Sequence, residues 1–127
     1  MRFKTATQDQ INGTHLQGYI TADYDELTAV FGEPHSDGDG YKVDAEWDLV
    51  FADGTVATIY NWKNGHNYLG EEGLPAECIT RWHIGGHSSR NMLRPASPAI
   101  QRVQDALFDH RNGCDTVDEK STNLLTY

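Results

Sequence analysis

The chain has 127 residues, 38% of them hydrophobic, and a formal net charge of −9 at pH 7. That length suits one domain with its own core, without help from a metal or a disulfide. No run of about 18 apolar residues is present to span a bilayer, and the negative charge works against direct binding to nucleic acid or anionic lipid.

Residues 1–5 are basic but have no apolar run behind them, so no secretory leader is expected. Residues 14–20 read as a first strand, with Leu16 and Ile20 on one face and Tyr19 on the other, and Gly18 marks a weak point or a close backbone approach. A short helix follows. Asp23 is its N-cap, Glu26 completes a capping box, and Gly32 with Pro34 stops it. Tyr24, Leu27, Val30 and Phe31 form its sheet-facing stripe. The polar turn at residues 35–40 looks like the start of a calcium loop, but Val43 and Ala45 occupy the downstream ligand places.

Residues 43–51 alternate most clearly. Val43, Ala45, Trp47, Leu49 and Phe51 point to the core, and Asp44, Glu46 and Asp48 form an outward acidic row. Asp53-Gly54 predicts a hairpin into a partner strand at 55–62. A glycine-rich connection over 63–77 carries Glu71-Glu72 at its apex and leads to a strand at 79–84, with Ile79, Arg81 and His83 on one face and Trp82 and Ile84 on the other. Gly85-Gly86 ends it. Ser97-Pro98 starts a last helix, with Ile100, Val103 and Leu107 on its buried side and Gly113 past its end. The expected fold is α+β: an antiparallel sheet of about four strands and two helices in the order β-α-β-β-β-α, the helices on one face. Residues 1–111 form this domain and residues 112–127 a C-terminal tail. Cys78, expected to be packed, and Cys114 are read as free thiols in a reducing cytoplasm.

Charge is segregated along the chain. Residues 1–80 hold 14 Asp/Glu against Arg2, Lys4, Lys42 and Lys63, whereas Arg81, Arg90, Arg94, Arg102 and Arg111 face only Asp105 and Asp109 in residues 81–111. Two binding surfaces follow. The acidic one comprises Asp44, Glu46, Asp48, Glu71 and Glu72, with Trp62 and Tyr68 as exposed aromatic anchors for a protein partner or platforms for a base. The basic one is an anion pocket of Gly85, Gly86, His87, Ser88, Ser89 and Arg90, joined by Arg81, His83, Arg94 and Arg102. No GxxxxGK[ST] or GxGxxG motif supports a nucleotide fold, and no GxSxG elbow or cysteine signature supports a nucleophile. His83 and His87 have HxxxH spacing, but the intervening glycines disfavour the helix that would aim both at zinc. No enzyme, metal or cofactor is expected.

Residues 16–20 with 24–27 and 31–34, residues 53–60, and Trp82-His83-Ile84-Gly85-Gly86 together resemble a family of small, uncharacterised bacteriophage accessory proteins, over roughly residues 12–108. The resemblance carries no active-site residues. It implies a counter-defence factor in the cytoplasm of an infected host cell that acts by binding. Two partners fit: a host nucleic-acid-targeting defence protein, blocked in an anti-CRISPR-like manner by the acidic surface, or a phosphorylated signal nucleotide sequestered in the arginine pocket, with a homodimer or larger assembly sharing it. A third option, a small nucleotide hydrolase, would use His83 or His87 as general base.

Overall fold

The computed structural model describes residues 2–35, 45–62, 65–87 and 97–113. In chain order the elements are β1 (Phe3–Thr5), α1 (Gln8–Ile11), β2 (His15–Thr21), α2 (Tyr24–Phe31), β3 (Glu46–Phe51), β4 (Val56–Tyr60), α3 (His66–Leu69), β5 (Arg81–Gly86) and α4 (Pro98–Arg111). Single 3₁₀ turns at Gly70–Glu72 and Ala76–Cys78 link α3 to β5. The fold is α+β. Five antiparallel strands run in the order β1-β3-β4-β5-β2, so the first two strands in sequence form the two edges.

Local chemistry sets the helix ends. In α2 the Glu26 carboxylate accepts the Asp23 backbone N–H at 3.1 Å, and Gly32, at φ 83°, closes the last turn through its N–H to Thr28 O. In α4 the Ser97 hydroxyl caps Ile100 N–H and Pro98 takes the first helical position. Asp53 and Gly54 form the β3–β4 turn, Gly54 at φ 89°, with Gly54 N–H donating to Phe51 O.

Both α2 and α4 cover the same face of the sheet. Leu27, Val30 and Phe31 from α2, and Ala99, Val103, Ala106 and Leu107 from α4, share one core with Phe3, Ile20, Trp47, Leu49, Ile59, Trp82 and Ile84. Trp47 and Trp82 meet edge to face at 5.4 Å, and each buried indole finds an acceptor: Trp47 Nε1–H donates to Gly32 O and Trp82 Nε1–H to Ala22 O. Burying polar N–H groups in this way removes the cost of placing tryptophan in a core. Glycine lets α4 approach: a Cβ at Gly18 would stand 2.7 Å from Ile100 Cδ1, and one at Gly86 2.7 Å from Ala99 Cβ. The Arg111 fork closes α4 onto the start of α2, reaching Glu26 at 2.6 and 3.1 Å.

Several expectations are corrected. Strand β5 begins two residues later than expected and runs on through Gly85 and Gly86, which pair with β4 and β2, so it ends at Gly86 and not before the glycines. Ile79 is buried in the core cluster, and Cys78 is exposed in a 3₁₀ turn instead of packed. Leu16 leaves the Ile20 face because the β2–β5 register shifts between Leu16 and Gly18; the extra residue of this bulge rotates the strand. Strand β1 and the capped turn α1 were not anticipated, since three or four residues carry no readable period. Asp44, Cys114 and most of the expected tail lie outside the described residues, as does the polar turn from residue 36 onward.

Candidate functional site

With both long helices on one side, the other side of the sheet carries side chains two apart along each strand, and the short α1 packs on it beside β4. Pairing sets them in rows. Glu46 on β3 stands opposite Tyr60 on β4, Tyr60 opposite His83 on β5, and His83 opposite Tyr19 on β2. The next row is Asp48, Thr58, Gly85 and Leu16. The bulge is what brings Leu16 and Tyr19, three apart in sequence, to this one face.

The rows form an aromatic cleft. A cavity of about 330 Å³ is lined by Leu16, Tyr19, Tyr60, Trp62 and His83. A second of about 300 Å³ shares Tyr60 and Trp62 and adds Glu46, Thr58, Gly85 and His15, with Ile11 and Thr14 from and beside α1. The His83 ring lies between two phenols, 4.7 Å from Tyr19 edge to face and 5.4 Å from Tyr60 with planes 30° apart. Arg81 lays its guanidinium 4.1 Å from the centre of the Tyr19 ring. Gly85 makes room for the arrangement, since a Cβ there would collide with the Thr58 hydroxyl.

Electrostatics divide the cleft. Burial lowers the His83 pKa, and the Arg81 charge lowers it further, so the imidazole is neutral at neutral pH. Its Nδ1 is buried without a hydrogen-bond partner among the described residues, which penalises an added proton there. Burial raises the Tyr60 pKa, reinforced by the Glu46 carboxylate and then Tyr19, so its phenol stays protonated. The cleft therefore offers aromatic faces, a neutral imidazole and one carboxylate, a set suited to planar or cationic groups.

The acidic surface changes composition. Asp48 is 9% exposed with Oδ1 unpartnered among the described residues, so it does not belong to a solvated row. Glu46 is half-buried in the cleft wall. Glu71 and Glu72 are exposed on their 3₁₀ turn, and Trp62 and Tyr68 are 41% and 37% exposed.

Among the described residues, the members of the expected anion pocket are held in different places. Gly85 and Gly86 lie buried inside the ladder, His87 places Nε2 2.8 Å from Gln10 O, and Arg102 holds Asp53 at 2.7 Å and Asp105 at 3.2 Å. Arg81 and His83 belong to the aromatic face instead. Ser88, Ser89, Arg90 and Arg94 lie outside the described residues. Among the described residues no group of three or more His, Cys, Asp or Glu is placed to hold a metal, and no helix is long and apolar enough to cross a membrane.

Tyr19, Tyr60 and Leu16 were missed as site residues. The alternation Thr58-Tyr60-Trp62 was the available signal for Tyr60; nothing local announced the bulge that recruits Leu16. In class, this is an antiparallel sheet with two helices packed on one face and an aromatic cleft on the other. No protein-family model, curated protein or solved structure matches the chain.

Proposed function

We propose that this chain is a non-catalytic binding protein, a phage-type counter-defence factor that occludes a basic, nucleic-acid-binding surface of a host defence protein. The observation that carries this reading is the segment joining β4 to β5. It exposes Trp62, Tyr68, Leu69 and Leu74 alongside the carboxylates of Glu71, Glu72 and Glu77. Apolar side chains bordered by like charges fit a docking surface, in which the aromatics anchor and the carboxylates steer and select a basic partner. The net charge of −9 extends that steering over the whole molecule. Nucleotide sequestration draws less support, because the glycines and Arg102 meant to hold phosphate are engaged within the fold.

The test is protection against a nucleic-acid-targeting defence system in cells, comparing the wild type with Glu71→Lys/Glu72→Lys and with Arg90→Ala/Arg94→Ala. Docking predicts that the first pair abolishes protection and the second leaves it intact. The reverse pattern replaces docking with sequestration of an anionic ligand.

A further inference from the structure

We infer that the outer edge of β2 pairs with β2 of a second copy of this chain, closing the protein into a two-fold homodimer with one continuous sheet. The longest strand stands where a sheet is least protected: β2 has 7 residues, against 3 to 6 in the other strands, and forms an edge. Natural edge strands are blunted by shortness, charge or proline. From His15 to Thr21, β2 holds no Asp, Glu, Lys, Arg or Pro. The bulge at its start distorts pairing there, so the regular stretch from Gly18 to Thr21 is the template. Backbone direction in this stretch follows from the ladder. Ala22 N–H donates inward to Thr80 O, and because antiparallel pairs alternate, Tyr19 and Thr21 turn their N–H and C=O groups away from β5. Among the described residues, the group that meets them is the Arg111 guanidinium, 3.4 Å from Thr21 O.

Side chains on both faces fit a copy of the same edge. Tyr19 is 44% exposed on the cleft face, with Arg81 laid on its ring. On the helix face a groove of about 240 Å³ runs between β2 and α4, lined by Ile20, Thr21, Gln104, Leu107, Phe108 and Arg111. Phe108 is 66% exposed at its border, the most exposed large apolar side chain among the described residues. A two-fold axis perpendicular to the sheet at Ile20 sets Tyr19 opposite Thr21 of the second copy, and Thr21 opposite its Tyr19, so the outward groups pair reciprocally. The same axis keeps both α4 helices on one face, antiparallel and adjacent, where Phe108 of each faces the groove of the other. Two chains of net charge −9 repel, but β2 opposes no carboxylate to its copy and Arg111 is already neutralised by Glu26. The other edge, β1, has 3 residues and carries Lys4. Pairing β2 with β1 of a copy would leave a free edge at each step and grow a filament, whereas self-pairing closes. The surface uses none of Trp62, Tyr68, Glu71 or Glu72, and so stands apart from the docking reading.

The experiment measures the mass of the full chain by sedimentation equilibrium over a concentration series, with amide hydrogen exchange followed by nuclear magnetic resonance at the same concentrations. The expected result is a monomer–dimer equilibrium in which the Tyr19 and Thr21 amides gain protection as dimer forms. Thr21→Pro removes an outward donor and no ladder bond of the monomer, and Phe108→Lys charges the groove border at an exposed position. Each should raise the dimer Kd about tenfold or more with the circular dichroism spectrum unchanged. Should Thr21→Pro lose that spectrum, Phe108→Lys carries the comparison. Tyr68→Lys, on the segment between β4 and β5, should leave the Kd as in the wild type. A single-chain mass at every concentration overturns the inference, and protected Tyr19 and Thr21 amides in that monomer would show that the chain covers its own edge. A dimer with those amides unprotected, or with a Kd indifferent to Phe108→Lys, also overturns it, by placing the interface elsewhere. Growth beyond the dimer overturns the closed two-fold. None of these outcomes alters what Glu71→Lys/Glu72→Lys does to protection in cells, so the two readings fail separately.

Discussion

Tyr60 and His83 face each other across β4 and β5, ring centres 5.4 Å apart, and so hold an ionisable pair on the sheet face opposite α2 and α4. Both are shifted toward their neutral forms, chiefly by burial. The open face is therefore a surface of neutral rings edged by Glu46 on one side and Arg81 on the other.

That pairing has a pH signature. The folded state lowers the His83 pKa below its ordinary value of 6.5, so the unfolded chain binds the proton first as the pH falls. The stability contributed by neutral His83 is complete above about pH 6.5 and is lost as the pH drops toward the folded-state pKa. Thermal melts from pH 7.5 to 5 should show a smaller decline for His83→Gln than for the wild type. Parallel declines would mean that His83 titrates no differently in the two states.

Burial, more than charge, governs what substitution at Asp48 does. Asp48→Lys puts a new cation at a position only 9% exposed and should cost about 3 kcal/mol or more. Glu71→Lys/Glu72→Lys, on an exposed 3₁₀ turn, should stay within about 0.5 kcal/mol of wild type. Urea denaturation distinguishes them, and a mild effect at Asp48 would show that its side chain turns outward. Charge reversal at Asp48 therefore reports on folding, and docking is better probed at Glu71 and Glu72.

Close packing of α4 makes Gly86 irreplaceable in a way its strand position alone would not. Alanine usually improves on glycine in a strand, yet a Cβ at residue 86 would meet Ala99 Cβ at 2.7 Å. Gly86→Ala should destabilise by about 1–3 kcal/mol, and adding Ala99→Gly should recover part of the loss. Additive losses in the double mutant would place the strain elsewhere.

Much of this fold could be read locally. The Asp23–Glu26 capping box, the Ser97-Pro98 start of α4 and the Asp53-Gly54 turn depend on hydrogen bonds and dihedral angles within a few residues, and each formed where expected. The exposure of Trp62 and Tyr68 followed from their polar surroundings. Gly85-Gly86 misled because consecutive glycines signal a break when taken alone. In the sheet they are tolerated because β4 and β2 pair with them from both sides, and they are needed because Ala99 of α4 and the Thr58 hydroxyl leave no room for a Cβ.

Sequence by itself determined which segments are amphipathic, where the helices are capped, and that the chain is acidic in its first two thirds. Those are properties of neighbours along the backbone. Only tertiary structure decided strand order, the Gln17 bulge, the burial of Asp48, and the meeting of Tyr19, His83, Tyr60 and Glu46 on one face. These four side chains come from four strands, and register between distant strands is set by the sum of core packing and ladder hydrogen bonds, which no local stretch of residues encodes.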